Sequence, residues 1–248
     1  KGYEFKVKLG VETDSMGITG KGLRECPVDV TQERVREAVF SAEGKLELQV
    51  PVHSAVKVDG KKMYAYAHKG QTPPEPPPRR EMRFYDVQVT DLDLTSVSVR
   101  MKCPKGSFVR AWADFVGDEL GCGGTVEVLR RTLSDPFTIA DAISIEDLEK
   151  RWQGRGERHG GVLGPAWIPL KDSIPHFHRV DIDGQDERLL KNGQISGMLR
   201  ALLLQGLKPD AGALPPVRVI SRETDDLLAI LLAEPGQFYK IKRVFHRS

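Results

Sequence analysis

One short segment joins two different patterns of apolar residues: Cys103-Pro104-Lys105-Gly106-Ser107-Phe108-Val109-Arg110. Along residues 96–103 apolar and polar side chains alternate, which predicts a strand. From residue 109 to residue 120 apolar side chains recur at helical spacing, and Gly121 ends the pattern. The segment therefore predicts a strand, a tight turn and an amphipathic helix in immediate succession.

The same turn has the features of an anion-binding site. Its backbone N–H groups lie at a helix N-terminus, where Lys105 and Arg110 can converge on a negative group. One turn inside the helix, the Arg110 guanidinium can pair bidentately with a carboxylate or a phosphate. The alternative is an Arg110 on a solvent-exposed helix face, and this segment alone leaves that alternative open.

Further elements are predicted on both sides of this segment. The strands cover residues 5–9, 46–50, 83–91 and 126–129, and the helices begin after Thr31 and at Met63. A short Asp-rich connection separates residues 83–91 from residues 96–103, which favours an antiparallel hairpin. The N-terminal part is therefore predicted to be an α+β domain with a mixed, mainly antiparallel sheet.

The C-terminal part shows a different pattern. A helix is predicted to begin at Ser144, and the glycine-rich residues 153–164 predict a flexible linker or insertion. After Pro175, short apolar segments alternate with turn residues, which indicates a small, β-rich domain. The segments are residues 177–180, 217–221, 227–233 and 239–244, and the turns contain Gly184, Asn192-Gly193 and Pro235-Gly236.

A second segment combines basic and aromatic side chains. It covers residues 51–64 and contains Lys57, Lys61, Lys62 and Tyr64. RNA presents phosphates that attract cations and unstacked bases that stack on aromatic rings, so this mixture favours an RNA-binding surface. Tyr64 could equally be a core residue.

The composition excludes several classes of protein. The chain has 248 residues, and 37 Lys and Arg against 35 Asp and Glu give a net charge of +2, which does not by itself predict nucleic-acid binding. No apolar run approaches the roughly 20 residues that span a bilayer, so we expect a soluble, cytoplasmic protein. Cys26, Cys103 and Cys122 are too widely spaced for a metal site or a disulfide framework, and the histidines lack ligand spacing. We therefore expect reduced thiols and no metal.

Several motifs together resemble the TruB family of tRNA pseudouridine(55) synthases. They cover about residues 1–150, and their order and spacing match those of the family. The motifs are Lys1-Gly2-Tyr3, Leu9-Gly10 with Thr13-Asp14, residues 49–64, Lys105-Gly106-Ser107-Phe108-Val109-Arg110, and Leu120-Gly121-Cys122-Gly123 leading to Leu129-Arg130-Arg131. The C-terminal part, through residues 189–194 and 238–245, is similar to the PUA-type domain of that family.

The resemblance implies a domain organisation and a reaction. Residues 1–172 would form a catalytic domain of the pseudouridine synthase type, and residues 173–248 a PUA-like RNA-binding domain. The enzyme would isomerise one uridine in the T loop of tRNA, at position 55, from an N-glycosidic to a C-glycosidic bond without a cofactor. Its partner would be the T arm of tRNA, with no membrane, no required protein partner and a monomeric state.

The resemblance also implies roles for particular residues. Tyr3 would stack on the flipped uracil, Arg110 would pair with the carboxylate of a nucleophilic Asp, and Leu129 would line the pocket. The other candidates for substrate binding are Phe108, Lys57, Ser54, Tyr64, Lys105, Lys61, Lys62, Arg130 and Arg131.

The sequence departs from the family pattern at the nucleophile. The family's Gly-x-x-Asp-Pro-x-Ala-x-Gly motif precedes the segment that matches Tyr3, and residues 1–248 do not contain it. The sequence also opens directly on a strand-like pattern. We therefore expect the nucleophilic Asp upstream of Lys1, and we expect residues 1–248 alone to be inactive.

Two alternatives remain open at this point. The chain could be a non-catalytic RNA-binding or RNA-folding protein of the same fold, which a start codon directly before Lys1 would favour. It could also be a two-domain α+β protein with no RNA role, which negligible affinity for tRNA at low salt would favour.

Overall fold

The computed structural model describes residues 1–67, 69, 71, 75–152, 164–205, 214–234 and 236–246. The chain divides into two compact units, Lys1–Ile139 and Ala140–Ser248. This division follows packing alone. The boundary expected between residues 172 and 173 concerns function and stays a prediction.

The first unit is built on a six-stranded sheet. In chain order its strands are β1 (Gly2–Leu9), β2 (Val11–Thr13), β3 (Gly22–Glu25), β4 (Gly44–Gln49), β5 (Lys57–Val58), β6 (Lys61–Lys62), β7 (Arg79–Leu92), β8 (Ser96–Lys102), β9 (Gly124–Ser134) and β10 (Phe137–Thr138). Its helices are α1 (Gln32–Ser41), α2 (Met63–Ala67) and α3 (Val109–Glu119), and a 3-10 turn covers Ile139–Asp141. The large sheet has the order β10-β9-β1-β8-β7-β4 with antiparallel neighbours, while β2 pairs with β3 and β5 with β6.

The core of this unit lies between one face of the sheet and the helices. Phe5 and Val7 of β1 are buried, and Phe5 contacts the ring of Trp112 on α3 at a centroid distance of 5.5 Å. Trp112 is fully buried, and its indole N–H donates to the carbonyl oxygen of Ala42 at 2.9 Å. This burial fixes α3 against β1, the strand that carries the candidate site residue Tyr3.

The connection from α3 to β9 depends on close backbone packing. A Cβ atom on Gly117 would lie only 2.0 Å from the backbone nitrogen of Gly124, so no side chain fits at this position. Gly121, with φ +74°, ends the helix in the left-handed conformation. The end of α3 therefore lies directly against the start of β9, the strand that carries Leu129.

The described residues of the second unit form a four-stranded sheet and three α-helices. Its strands are β11 (His178–Ile182), β12 (Val217–Ser221), β13 (Leu227–Leu232) and β14 (Lys240–Val244), in that order across the sheet, with β11 and β12 parallel. Its helices are α4 (Ile145–Trp152), α5 (Gly184–Lys191) and α6 (Gly197–Gln205), and 3-10 turns cover Gly164–Ala166 and Leu170–Asp172. Leu190 of α5 and Leu199 of α6 are buried in one cluster with residues of the sheet.

The predicted fold class is confirmed: the chain is α+β, with a mainly antiparallel sheet followed by a β-rich C-terminal part. The cap at Ser144 is also confirmed, because its hydroxyl accepts from the backbone N–H of Asp147 at 3.0 Å. The sequence analysis missed α5 and α6, and Gly184 begins α5 instead of forming only a turn. The prediction of a flexible linker or insertion covers residues 153–164, of which residues 153–163 lie outside the described part of the chain.

Candidate active site

Arg110 is the best-defined candidate residue. It is the second residue of α3, and its two terminal nitrogens donate to the carbonyl oxygens of Ser15 at 2.9 Å and His53 at 2.8 Å. Burial lowers its pKa, and among the described residues no carboxylate offsets this effect. Because a guanidinium loses its proton only far above neutral pH, this lowering leaves Arg110 charged at pH 7. The site therefore holds a partly buried cation whose described partners are two neutral carbonyl groups.

The carbonyl of His53 belongs to a loop that also presents a buried hydroxyl. The loop is fastened to α2, because the backbone N–H of Tyr64 donates to the carbonyl of Ser54 at 3.0 Å. Ser54 is 6% exposed, and its hydroxyl oxygen has no hydrogen-bond partner among the residues that the structure describes. A buried hydroxyl without a partner is costly, so this group is available to a bound ligand.

Tyr3, Leu129 and Arg131 share one face of the sheet. In the register of β1 and β9, Tyr3 lies opposite Arg131 and Phe5 lies opposite Leu129. The Arg131 guanidinium lies 5.6 Å from the centre of the Tyr3 ring, within range of a cation–π contact. Leu129 is 45% exposed although it faces the same side as the buried Phe5. An aromatic ring, a cation and an exposed apolar side chain are thus brought together.

Arg130 lies on the other face. It stands opposite Glu4 in the same register, and successive side chains of a strand point to opposite faces. Glu4 forms an ion pair with Arg100 on that face at 2.7 Å. The structure therefore places Arg130 and Arg131, both candidates for substrate binding, on opposite faces of the sheet.

The turn before α3 carries the candidate residues Lys105 and Phe108. Phe108 is the N-cap residue of α3 and packs, like Tyr3, against the large buried cluster of the first unit. Ser107 fastens the turn to β7, since its hydroxyl accepts from the backbone N–H of Arg83 at 3.2 Å. Lys105 is exposed, whereas Arg110 donates to Ser15 and His53. The convergence of Lys105 and Arg110 on one anion stays a prediction.

The basic and aromatic segment forms an exposed hairpin. Lys57 pairs with Lys62 across β5 and β6. The Lys62 ammonium lies 5.5 Å from the centre of the Tyr64 ring, and that of Lys61 lies 6.0 Å from the ring of Tyr66. Tyr64 is 38% exposed, so it is not a core residue. The hairpin therefore presents cations and rings to solvent, as the sequence predicted.

Among the described residues, the carboxyl group with the most strongly raised pKa also lies on α3. Burial raises the pKa of Asp114 to about 6, and the negative charges of Asp118 and Glu12 add to the effect. Asp114 is one helical turn from Arg110 in sequence, yet no attraction from Arg110 offsets this rise. Asp114 is therefore not an ionised partner of Arg110.

The described residues also bear on the cysteines, on metal binding and on membrane insertion. Cys26, Cys103 and Cys122 are free thiols, as predicted. Within the described ranges, no three His, Cys, Asp or Glu side chains lie close enough to hold a metal ion. In the same part of the chain no helix combines the length and the apolar character that crossing a membrane requires.

Sequence reasoning missed the groups that hold Arg110. Ser15 and His53 contribute backbone carbonyl oxygens, which carry no residue-type signal. The Thr13-Asp14 motif that precedes Ser15 was the only sign that this loop matters.

Known protein families and individual proteins match this chain. Two family models match: "TruB family pseudouridylate synthase (N terminal domain)" over residues 1–109 and "tRNA pseudouridylate synthase B C-terminal domain" over residues 110–170. A protein named tRNA pseudouridine synthase B from Bdellovibrio bacteriovorus is 37% identical over 249 residues, covering 100% of this chain and 78% of that protein. Another of the same name, from Ralstonia pickettii, is 35% identical over 196 residues, covering 78% of this chain and 59% of its own length.

Solved structures show the same fold. The chain matches a structure titled "Crystal Structure of a Cbf5-Nop10-Gar1 Complex" with a TM-score of 0.65 and 18% identity, over 99% of this chain and 66% of that one. A structure of an H/ACA RNP bound to a substrate RNA containing 2'-deoxyuridine matches with a TM-score of 0.64 and 16% identity, over 100% of this chain and 66% of that one. The resemblance seen in the sequence is confirmed by the family models and the relatives: the chain belongs to the TruB family of tRNA pseudouridine synthases.

Proposed function

We propose that this protein isomerises the uridine at position 55 in the T loop of tRNA to pseudouridine. The observation that carries the proposal is Arg110, a partly buried guanidinium that two carbonyl oxygens hold in place and that has no carboxylate partner among the described residues. A partly buried cation costs desolvation free energy unless a neighbouring anion pairs with it. Membership of the TruB family and the relatives named tRNA pseudouridine synthase B support this activity.

The reaction requires an ionised carboxylate at the target nucleotide. The bond between uracil N1 and the ribose C1' breaks and a bond between uracil C5 and C1' forms; C5 loses its hydrogen as a proton, and N1 takes up a proton from solvent. The family uses an Asp as the nucleophile, which the resemblance places before the segment that contains Tyr3. Arg110 would pair with this carboxylate and keep it ionised and oriented in a site that excludes water. No cofactor enters this scheme.

The flipped base would be held by the cluster on β1 and β9. The Tyr3 ring offers a stacking face, Leu129 an apolar wall and Arg131 a cation beside them. Extracting a base from its stack costs a few kcal/mol, which stacking and hydrogen bonds to the base then offset. The unpartnered hydroxyl of Ser54 supports a contact with the base edge, and Phe108 would complete the pocket wall.

The RNA around that base would lie on the exposed hairpin. Lys57, Lys61 and Lys62 present ammonium groups, and Tyr64 presents a ring, to solvent. This combination suits phosphates and unstacked bases, and Lys105 would add one more phosphate contact. Because Arg130 lies on the opposite face of the sheet, we assign it no contact with the RNA.

We propose that the chain has two functional domains. Residues 1–172 would carry out catalysis, and residues 173–248 would bind RNA as a PUA-like domain. The end of the second family model at residue 170 supports this boundary, as does the separate sheet β11–β14 beyond it. We place the enzyme in the cytoplasm, acting on the T arm as a monomer that requires no protein partner.

The test uses the protein as its gene encodes it and RNA labelled with tritium at uracil C5. The isomerisation releases that label to water, so we expect release from a T-arm stem-loop and none from an anticodon stem-loop of equal length. Replacing U55 by cytidine should abolish the release. No release from the T arm, or equal release from both RNAs, would refute the proposed function.

A further inference from the structure

A buried hydroxyl fastens the loop that follows β2. Thr13 is 6% exposed, and its Oγ1 atom lies 2.8 Å from the carbonyl oxygen of Gly17, 3.0 Å from the backbone nitrogen of Gly17 and 3.2 Å from Oγ1 of Thr125. Thr125 is fully buried on β9. A hydroxyl donates one hydrogen bond and accepts two. The Thr13 hydroxyl therefore donates to the Gly17 carbonyl, accepts from the Gly17 N–H and the Thr125 hydroxyl, and is saturated.

The residue enclosed by this arrangement touches the candidate active site. The carbonyl of Ser15 accepts from Arg110, while its own buried hydroxyl donates to the Gly17 carbonyl at 3.0 Å. A Cβ atom on Gly17 would lie 3.7 Å from Cδ of Arg110, so the loop backbone also borders the stem of that side chain. The backbone N–H of Ile18 donates to the carbonyl of Val126 on β9 at 2.9 Å. The loop is thus fixed to β9 on one side and to Arg110 on the other.

From this connectivity we infer that Thr13 is a positioning residue, whose hydroxyl, supported by Thr125, fixes the Ser15 carbonyl and thereby directs the Arg110 guanidinium. The inference rests on the proposed function. Hydrogen bonds to two separate loops define the plane of the guanidinium. If the bond to Ser15 is lost, the remaining bond to His53 leaves the guanidinium free to rotate. Catalytic groups must be held within about 0.5 Å of their working geometry, so such freedom slows the reaction.

The hydroxyl is not needed to form β2 itself. The strand pairs with β3 through backbone bonds, and the N–H of Asp14 donates to the carbonyl of Lys21 at 3.1 Å. The N–H of Lys21 in turn donates to the Asp14 carboxylate at 2.9 Å. Removing the Thr13 hydroxyl should therefore release the turn at Ser15 and Gly17 more than the hairpin that carries it.

The experiment compares variants of the protein as its gene encodes it. Thr13→Val keeps the shape and removes the hydroxyl, Thr13→Ser keeps the hydroxyl, and Thr90→Val makes the same change at an exposed position on β7. We expect Thr13→Val to lower kcat about tenfold or more with KM for tRNA unchanged within twofold. Thr13→Ser should retain kcat within threefold, and Thr90→Val should match the wild type.

A second readout does not depend on turnover. NMR signals of the Arg110 guanidinium N–H groups report whether the group is held or rotates. We expect separate Nη signals in the wild type and in Thr13→Ser, and averaged or shifted signals in Thr13→Val. If the wild type fails to convert uridine, the proposed function falls, and these signals still decide the role of Thr13.

Several results would overturn the inference. A folded Thr13→Val protein with kcat within twofold of the wild type, or with unchanged Arg110 signals, would do so. The inference would also be wrong if Thr13→Ser lowered kcat as much as Thr13→Val does. It would be wrong as well if Thr13→Val raised KM by the same factor by which it lowers kcat. If Thr13→Val does not fold, Thr125→Val replaces it, with an expected threefold loss in kcat, and an unchanged kcat would refute the inference.

Discussion

Replacing Arg110 tests the candidate site most sharply, because the structure allows the cost to be worked out. Its two terminal nitrogens are held at 2.9 Å and 2.8 Å by carbonyls from separate loops, a geometry that a single Lys ammonium cannot reproduce. One hydrogen bond from a charged group contributes about 1.5–3 kcal/mol. If that positioning is lost in the transition state, Arg110→Lys should lower kcat about 10- to 100-fold, at about 1.4 kcal/mol for each factor of ten.

Arg110→Ala removes the charge as well. Breaking a buried ion pair by removing one partner costs about 3–5 kcal/mol, so kcat should fall about 10²- to 10⁴-fold. Tritium release from labelled T-arm RNA measures turnover, and fluorescence anisotropy measures tRNA affinity, which should change less than threefold. Arg36→Ala, at an exposed position on α1, serves as the matched control and should keep full turnover. Turnover of Arg110→Ala within threefold of the wild type would refute the reasoning, as would an equal loss of affinity.

Three further predictions concern stability and RNA binding. Trp112→Ala removes a fully buried ring and leaves the Ala42 carbonyl without its donor, so urea unfolding should show a loss of about 3–5 kcal/mol; a loss below 1 kcal/mol would contradict the packing. Because the pKa of Asp114 is raised to about 6, above its unfolded value of 3.8, the wild type should lose about 1–3 kcal/mol of stability as pH rises from 4 to 7. Asp114→Asn should not show that loss, and parallel stability curves for the two proteins over this range would contradict the assignment. Lys61→Ala and Lys62→Ala should each lower the slope of log Kd for tRNA against log salt by about 1, and unchanged slopes would remove the hairpin from the RNA contact.

Local features of the fold were predictable because they depend on neighbouring residues. The N-cap at Thr31 follows from residue type alone, and its hydroxyl accepts from the N–H of Arg34 at 3.2 Å. The hairpin of β7 and β8 follows from two alternating segments and a short connection. The helices α5 and α6 were not recognised, since their glycines at residues 184 and 197 are more typical of turns than of helix starts.

The candidate site was predictable only in part. Arg110 could be selected from its position after a turn, but the carbonyls that hold it lie 95 and 57 residues away, and backbone atoms carry no sequence signal. The separation of Arg130 from Arg131 could have been deduced, because side chains alternate along a strand. The contact between Arg131 and Tyr3 depends on the register of β1 and β9, which the sequence does not specify.

The most direct test of the central claim is to map the modified nucleotide. Unmodified tRNA is incubated with the purified protein as its gene encodes it, and pseudouridine is located by carbodiimide labelling and primer extension. The account predicts one new pseudouridine, at position 55, in tRNA treated with the wild type, and none in tRNA treated with Arg110→Ala. An unmodified position 55 after treatment with the wild type, or pseudouridine only at other positions, would contradict it.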